Sequence, residues 1–91
     1  MRKTEQLTEV NTFETQELAL ATTLVCFGFP IFELRKISDR KLTFVFNRDS
    51  GMDDVIQGFW TDSISCSPKR YFYTLKEIKS RIFSERNRHV S

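Results

Sequence analysis

Nine of the 91 residues are Phe, against two Tyr and one Trp. Phe has no polar tip, so each ring must be buried or held at an interface. A chain this short makes one domain with a modest core, so the spacing of the rings constrains the fold more than any other feature. In "LTFVFN" (42–47), Leu42, Phe44 and Phe46 recur at period two, with Thr43, Val45 and Asn47 on the other side. That is the pattern of a half-buried strand. "IFELRKI" (31–37) alternates as well, with Phe32 and Leu34 opposed to Glu33 and Arg35. The polar run Ser38-Asp39-Arg40-Lys41 separates the two, and the pair predicts an antiparallel hairpin whose Phe face packs on helices.

Elsewhere the period is helical. Leu18, Ala21, Leu24 and Val25 mark a first helix over 15–27, widened by Leu20 and Phe27, with Thr15 as N-cap and Glu17 in the first turn. Gly28 stands where a left-handed C′ residue ends a helix, Phe29 can fold back on Leu24, and Pro30 prevents continuation. Met52, Val55, Ile56, Phe59 and Trp60 form the cleanest stripe in the chain, with Asp49 or Ser50 as cap and Asp53 and Asp54 favouring the helix dipole. Gly58 in that helix costs about 1 kcal/mol relative to Ala, and is either a site of close backbone approach or merely tolerated. In "DSISCS" (62–67), Ile64 and Cys66 share a face, which suggests a short third strand. Ser67-Pro68 then opens a helix over 68–85. The predicted fold is a single α+β domain over 13–85, ordered α-β-β-α-(short β)-α. Its helices lie on one face of a small, mainly antiparallel sheet, and the ends at 1–12 and 86–91 are flexible. Val45 faces outward, so edge pairing or a homodimer through the open side of the sheet is expected.

The last helix carries the most informative string, "YFYTLKEIKSRIF" (71–83). At 100° per residue, Ile78, Tyr71, Ile82, Leu75, Phe72 and Phe83 fill an arc of about 140°, which reads as a core stripe. Lys69 and Lys76 flank it on one side, and Arg70 and Arg81 lie beyond the other. Lys79 falls inside the arc, where it must snorkel, pair with an acid or face a partner. Tyr73 points outward. The net charge of residues 1–67 is −3 (seven Lys/Arg, ten Asp/Glu), while residues 68–91 carry +5 (seven against two). This asymmetry suits a polyanion partner or a solvated helix and tail. The candidate contacts are therefore Lys69, Arg70, Tyr73, Lys76, Lys79 and Arg81.

Catalytic chemistry is poorly represented. The single histidine, His89, lies in the C-terminal tail, which leaves the body without a general base for a Ser or Cys nucleophile. Gly28, Gly51 and Gly58 are isolated and form no phosphate loop. Neither zinc nor calcium ligand spacing occurs, so no metal or cofactor is expected. Cys26 and Cys66 read as free thiols of a cytoplasmic protein. The apolar run 18–32 is fifteen residues long and broken by Gly28 and Pro30, too short to span a membrane.

The motifs "FETQELALA" followed by Gly28, then "KLTFVF", "GFW" and "YFYTLKEIKSRIF", occur in the order that resembles a family of small prokaryotic and phage proteins known as a domain of unknown function, DUF5659. The resemblance spans roughly residues 13–83. It implies a small cytoplasmic protein, from a mobile element or its host, and brings no activity, cofactor or catalytic residue with it. Of its motif residues, Gly28, Phe44, Phe46, Trp60 and Leu75 are explicable as fold positions, and Lys79 and Arg81 are not. The residues themselves favour a non-enzymatic protein-interaction or oligomerising module. The alternative is a nucleic-acid-binding accessory protein using the basic last helix.

Overall fold

A strand that the sequence spacing does not predict sets the topology. The structure, a computed structural model, describes residues 11–87. It runs β1 (Thr12–Thr15), α1 (Leu18–Cys26), β2 (Glu33–Lys36), β3 (Leu42–Asn47), α2 (Met52–Trp60) and α3 (Pro68–Asn87). The α+β class and the antiparallel β2–β3 hairpin are as expected, but the element order is not. The third strand is Thr12–Thr15, and residues 62–67 form no strand. "TFET" alternates and carries two β-branched Thr, which suits a short edge strand. Thr12, expected in the flexible N-terminal segment, opens this strand. Thr15, expected as the N-cap, closes it: its hydroxyl accepts from the Glu17 N–H at 3.0 Å, and Glu17 holds the cap position.

The strand order is β1-β3-β2, with both pairs antiparallel. β1 and β2 therefore run parallel to each other with β3 inserted between them, joined through α1 as a split β-α-β unit. In register, Phe13 lies opposite Phe46, and Leu34 opposite Phe44. These side chains face the core with Leu20, Ala21 and Leu24 of α1, Met52 of α2 and Ile78 of α3. α1 packs on β1, α2 and α3. Leu20, Ala21, Thr22, Thr23 and Leu24 are all buried, so the helix is covered around most of its circumference. Two buried threonines are tolerated because their hydroxyls donate to the Leu18 and Ala19 carbonyls, both at 2.8 Å.

The outer side of the sheet corrects one expectation. Val45 does point away from Phe44 and Phe46, but it is 0% exposed. It sits between Glu14 and Glu33 in register, and Arg35 bridges the two carboxylates at 2.9 and 3.3 Å. All three are half-exposed, so the bridge adds little to stability. Its effect is to lay polar groups and methylene stems over the central strand. That removes the apolar contact on which dimerisation through this face was expected to rest.

Both short helices end in Schellman turns. After α1, Phe29 N–H donates to the Leu24 carbonyl (2.9 Å) and Gly28 N–H to Val25 (3.0 Å), with Gly28 at φ +99°. After α2, Ser63 N–H donates to Gly58 (2.9 Å) and Asp62 N–H to Phe59 (3.2 Å), with Asp62 at φ +57°. The second turn folds Ile64 back onto the helix: a Cβ at Gly58 would lie 2.3 Å from the Ile64 Cγ2. Gly58 is thus a site of close approach. At the start of α2 neither Asp49 nor Ser50 is the cap. Gly51 holds that position, and Asp49 accepts from its N–H at 3.3 Å.

Three outcomes are expected in urea denaturation. Gly58→Ala should destabilise by about 1–2 kcal/mol, because overpacking against stiff Ile64 exceeds the helix-propensity gain. The same change in an Ile64→Ala background should be neutral or stabilising. Asp62→Gly should stabilise by about 0.5–1 kcal/mol by relieving the left-handed backbone.

Candidate functional site

α3 begins as its sequence dictates. Ser67 caps it, its hydroxyl accepting from the Arg70 N–H at 3.3 Å, and Pro68 takes the first helical position. The face it buries is narrower than expected. Ile78 is buried, and Tyr71, Thr74, Leu75, Ile82 and Glu85 are partly buried, an arc of about 100°. Phe72 and Phe83, expected in the core stripe, are 55% and 69% exposed. Lys79, expected inside the arc, is exposed beyond its edge. The cause is the identity of the partner surface: α3 packs on α1, and one helix against another needs only a narrow seam. The sheet's Phe face is already occupied by α1.

Rotation of the buried arc gathers what the sequence spacing divided. Lys69, Phe72, Tyr73, Lys76, Lys79, Phe83 and Arg86 share one exposed face of about 140°. Glu77 and Glu85, the only carboxylates of α3, lie outside it. At its centre the Phe72 and Tyr73 rings are 5.8 Å apart, and the Lys76 Nζ stands 5.5 Å and 6.0 Å from their centroids. This is a cation–π cluster at the surface. Among the described residues Lys79 has no ion-pair partner.

Two candidates leave the group. The Arg70 guanidinium donates to the Cys26 carbonyl at 3.2 Å, covering the C-terminal end of α1. Arg81 lies on the opposite side of α3, in a shallow depression with Leu34, Glu77 and Glu85. Arg86 stays on the shared face while donating to the Arg40 carbonyl of the hairpin turn at 3.2 Å.

An open cleft of about 1020 Å³ lies between the end of α1 and the connector, lined by Cys26, Cys66, Ser65, Ser67, Arg70 and others. It brings together the two cysteines, which lie forty positions apart in the chain. Burial pushes the Cys66 thiol above its ordinary range, and the neighbouring Cys26 adds to the effect; Arg70 opposes it more weakly. A reactive nucleophile needs the opposite shift. Among the described residues no group of His, Cys, Asp and Glu is arranged to hold a metal. His89 lies outside those residues.

Trp60 is a second exposure that the spacing hid. Assigned to the packing stripe of α2, it is 63% exposed, its ring edge-to-face with Phe59 at 4.9 Å. Phe32 is also exposed, although its N–H donates to the Val45 carbonyl of β3 at 2.7 Å. A helix of nine residues needs only Met52, Val55, Ile56 and Phe59 to meet the core. The surplus of aromatic residues over core positions was the available signal for surface rings, without indicating which ones.

The fold and this surface define a small α+β domain in which three of the six exposed aromatic residues share one face of a basic helix. No helix among the described residues is long and apolar enough to cross a membrane. A family model described as a domain of unknown function, DUF5659, matches residues 10–84, and the chain belongs to that family. No curated protein matches the chain, and no solved structure does.

Cys66 and Tyr71 shape the response to alkali. Burial also raises the Tyr71 hydroxyl, while a hydrogen bond with Thr22 works the other way. The folded protein keeps protons that the unfolded chain releases above the ordinary values of 9.0 for Cys66 and 10.0 for Tyr71. Their contribution is complete below about pH 9 and is lost as pH rises through the raised values. The urea midpoint should fall across that window, and fall less in a Cys66→Ser/Tyr71→Phe variant.

Proposed function

We propose that the protein is a non-enzymatic binding module that meets its partner through the exposed face of α3. The observation that carries this reading is the placement of Phe72, Tyr73 and Phe83, each more than half exposed, on one face with three lysines. Large rings left in water beside cations are characteristic of contact surfaces. The face suits an anionic partner more than a second copy of the chain. Isologous pairing would set Lys69, Lys76 and Lys79 against the same residues, and like-charge juxtaposition is costly. The raised Cys66 thiol argues against that residue as a nucleophile. Two neighbouring free thiols fit a reducing compartment such as the cytoplasm.

Two measurements test the reading. Phe72→Ala/Phe83→Ala should cost less than about 1 kcal/mol of stability, whereas Phe46→Ala should cost about 3–5 kcal/mol. A photo-crosslinking side chain at Ser80, on this face, should give discrete adducts in cells. Those adducts should disappear in the Phe72/Phe83 variant, and the same probe at Asp39 on the hairpin turn should give none. Loss of several kcal/mol in the double variant, or identical adducts from both probes, would contradict the proposal.

A further inference from the structure

We infer that the exposed face of α3 binds single-stranded nucleic acid, with Phe72, Tyr73 and Phe83 as stacking platforms and Lys69, Lys76 and Lys79 as phosphate contacts. The inference rests on the reading of this face as the contact surface and adds the class of partner.

Charge complementarity selects a polyanion. The face carries three lysines, none of them ion-paired among the described residues, and no carboxylate of α3, on the segment of the chain with net charge +5. The arrangement along the helix then narrows the choice. At 1.5 Å per residue, Lys69, the Phe72–Tyr73 pair, Lys76, Lys79 and Phe83 follow one another over about 20 Å, rings interspersed with cations. A single strand likewise intersperses bases with phosphates, and every base has a face that can stack on an aromatic ring. A duplex keeps its base faces covered, and Phe has no donor for a phosphate or a base edge. A lipid surface asks for segregation, with an apolar row on one side and cations on the other. Here Lys79 and Lys76 flank the line from Phe72 to Phe83 on both sides, so cations and rings are interspersed rather than segregated.

The local geometry supplies the exchange. In the free protein Lys76 stands over both the Phe72 and Tyr73 rings. A phosphate draws the ammonium off the rings, and the ring faces it leaves are then open to a base. The cation–π contact is thus replaced by an ion pair and a stack, and the side chains need only change rotamer.

The test is fluorescence anisotropy with an oligothymidylate of about 20 nucleotides, longer than the ~4–16-nucleotide footprints of known single-strand sites. Binding should weaken with salt at a log–log slope of about −2, from three lysines at about −0.7 each. Lys76→Gln/Lys79→Gln should reduce that slope by about 1.4. Phe72→Ala and Phe83→Ala should each lower affinity about tenfold and leave the slope unchanged. A duplex of the same length should bind at least about tenfold more weakly. Equal or tighter duplex binding, affinity that survives the Phe substitutions, or binding to phosphatidylserine vesicles with none to the oligonucleotide would overturn the inference. If the Ser80 adducts form but resist nuclease, the single-strand assignment fails while the binding surface stands. If no adducts form, the surface itself is refuted.

Discussion

The rest of the structure depends on the burial of α1. Its nine residues lie between the Phe face of the sheet and the two later helices, and no side chain from Leu20 to Leu24 reaches solvent to any useful degree. A helix so enclosed has no room for a polar stripe. The two threonines on it stay because they return their hydroxyls to their own backbone, and the Schellman turn at Gly28 satisfies the carbonyls at its end. Arg70 reaches across from α3 to the Cys26 carbonyl, so a residue that resembled a surface cation ties the last helix to the first.

Consequences follow on both sides of α1. Toward the sheet, it takes up Phe44 and Phe46 of the central strand, together with Phe13 and Leu34 from the edges. On the opposite side of that strand Val45 and Thr43 are buried, and the Glu14–Arg35–Glu33 bridge lies beside Val45 in register. Away from the sheet, α2 and α3 meet α1 along narrow seams. Twenty residues of α3 supply more apolar surface than one seam can bury, and the surplus is Phe72 and Phe83. The same geometry that satisfies the core therefore leaves a basic aromatic face in water, and the proposed binding role follows from that surplus.

Much of this was legible in the sequence, for reasons that are local. The hairpin, the Gly28 stop, the Ser67-Pro68 start and the stripe Met52–Val55–Ile56–Phe59 each rest on spacing or turn chemistry that no distant contact overrides. β1 was not legible, because four residues of alternation gain meaning only from the partner strand beside them. Phe72, Phe83 and Trp60 are exposed where periodicity predicts burial, for a related reason. Periodicity shows which residues share a face, but how wide a face is covered depends on what packs there, and a helix covers less than a sheet does. The candidate site was half visible: Lys69, Tyr73, Lys76 and Lys79 were identified, Arg70 and Arg81 belong to other contacts, and the two Phe residues that complete the face were assigned to the core.

α3 docks on α1 by a narrow seam and leaves its aromatic face outside. Hydroxyl-radical labelling of the folded protein, read residue by residue by mass spectrometry, tests it most directly. Phe72, Tyr73 and Phe83 should be oxidised nearly as fast as in the unfolded chain, while Phe44 and Phe46 are protected. Protection of Phe72 and Phe83 equal to that of Phe46 would mean that α3 turns this face inward, and the account would be wrong.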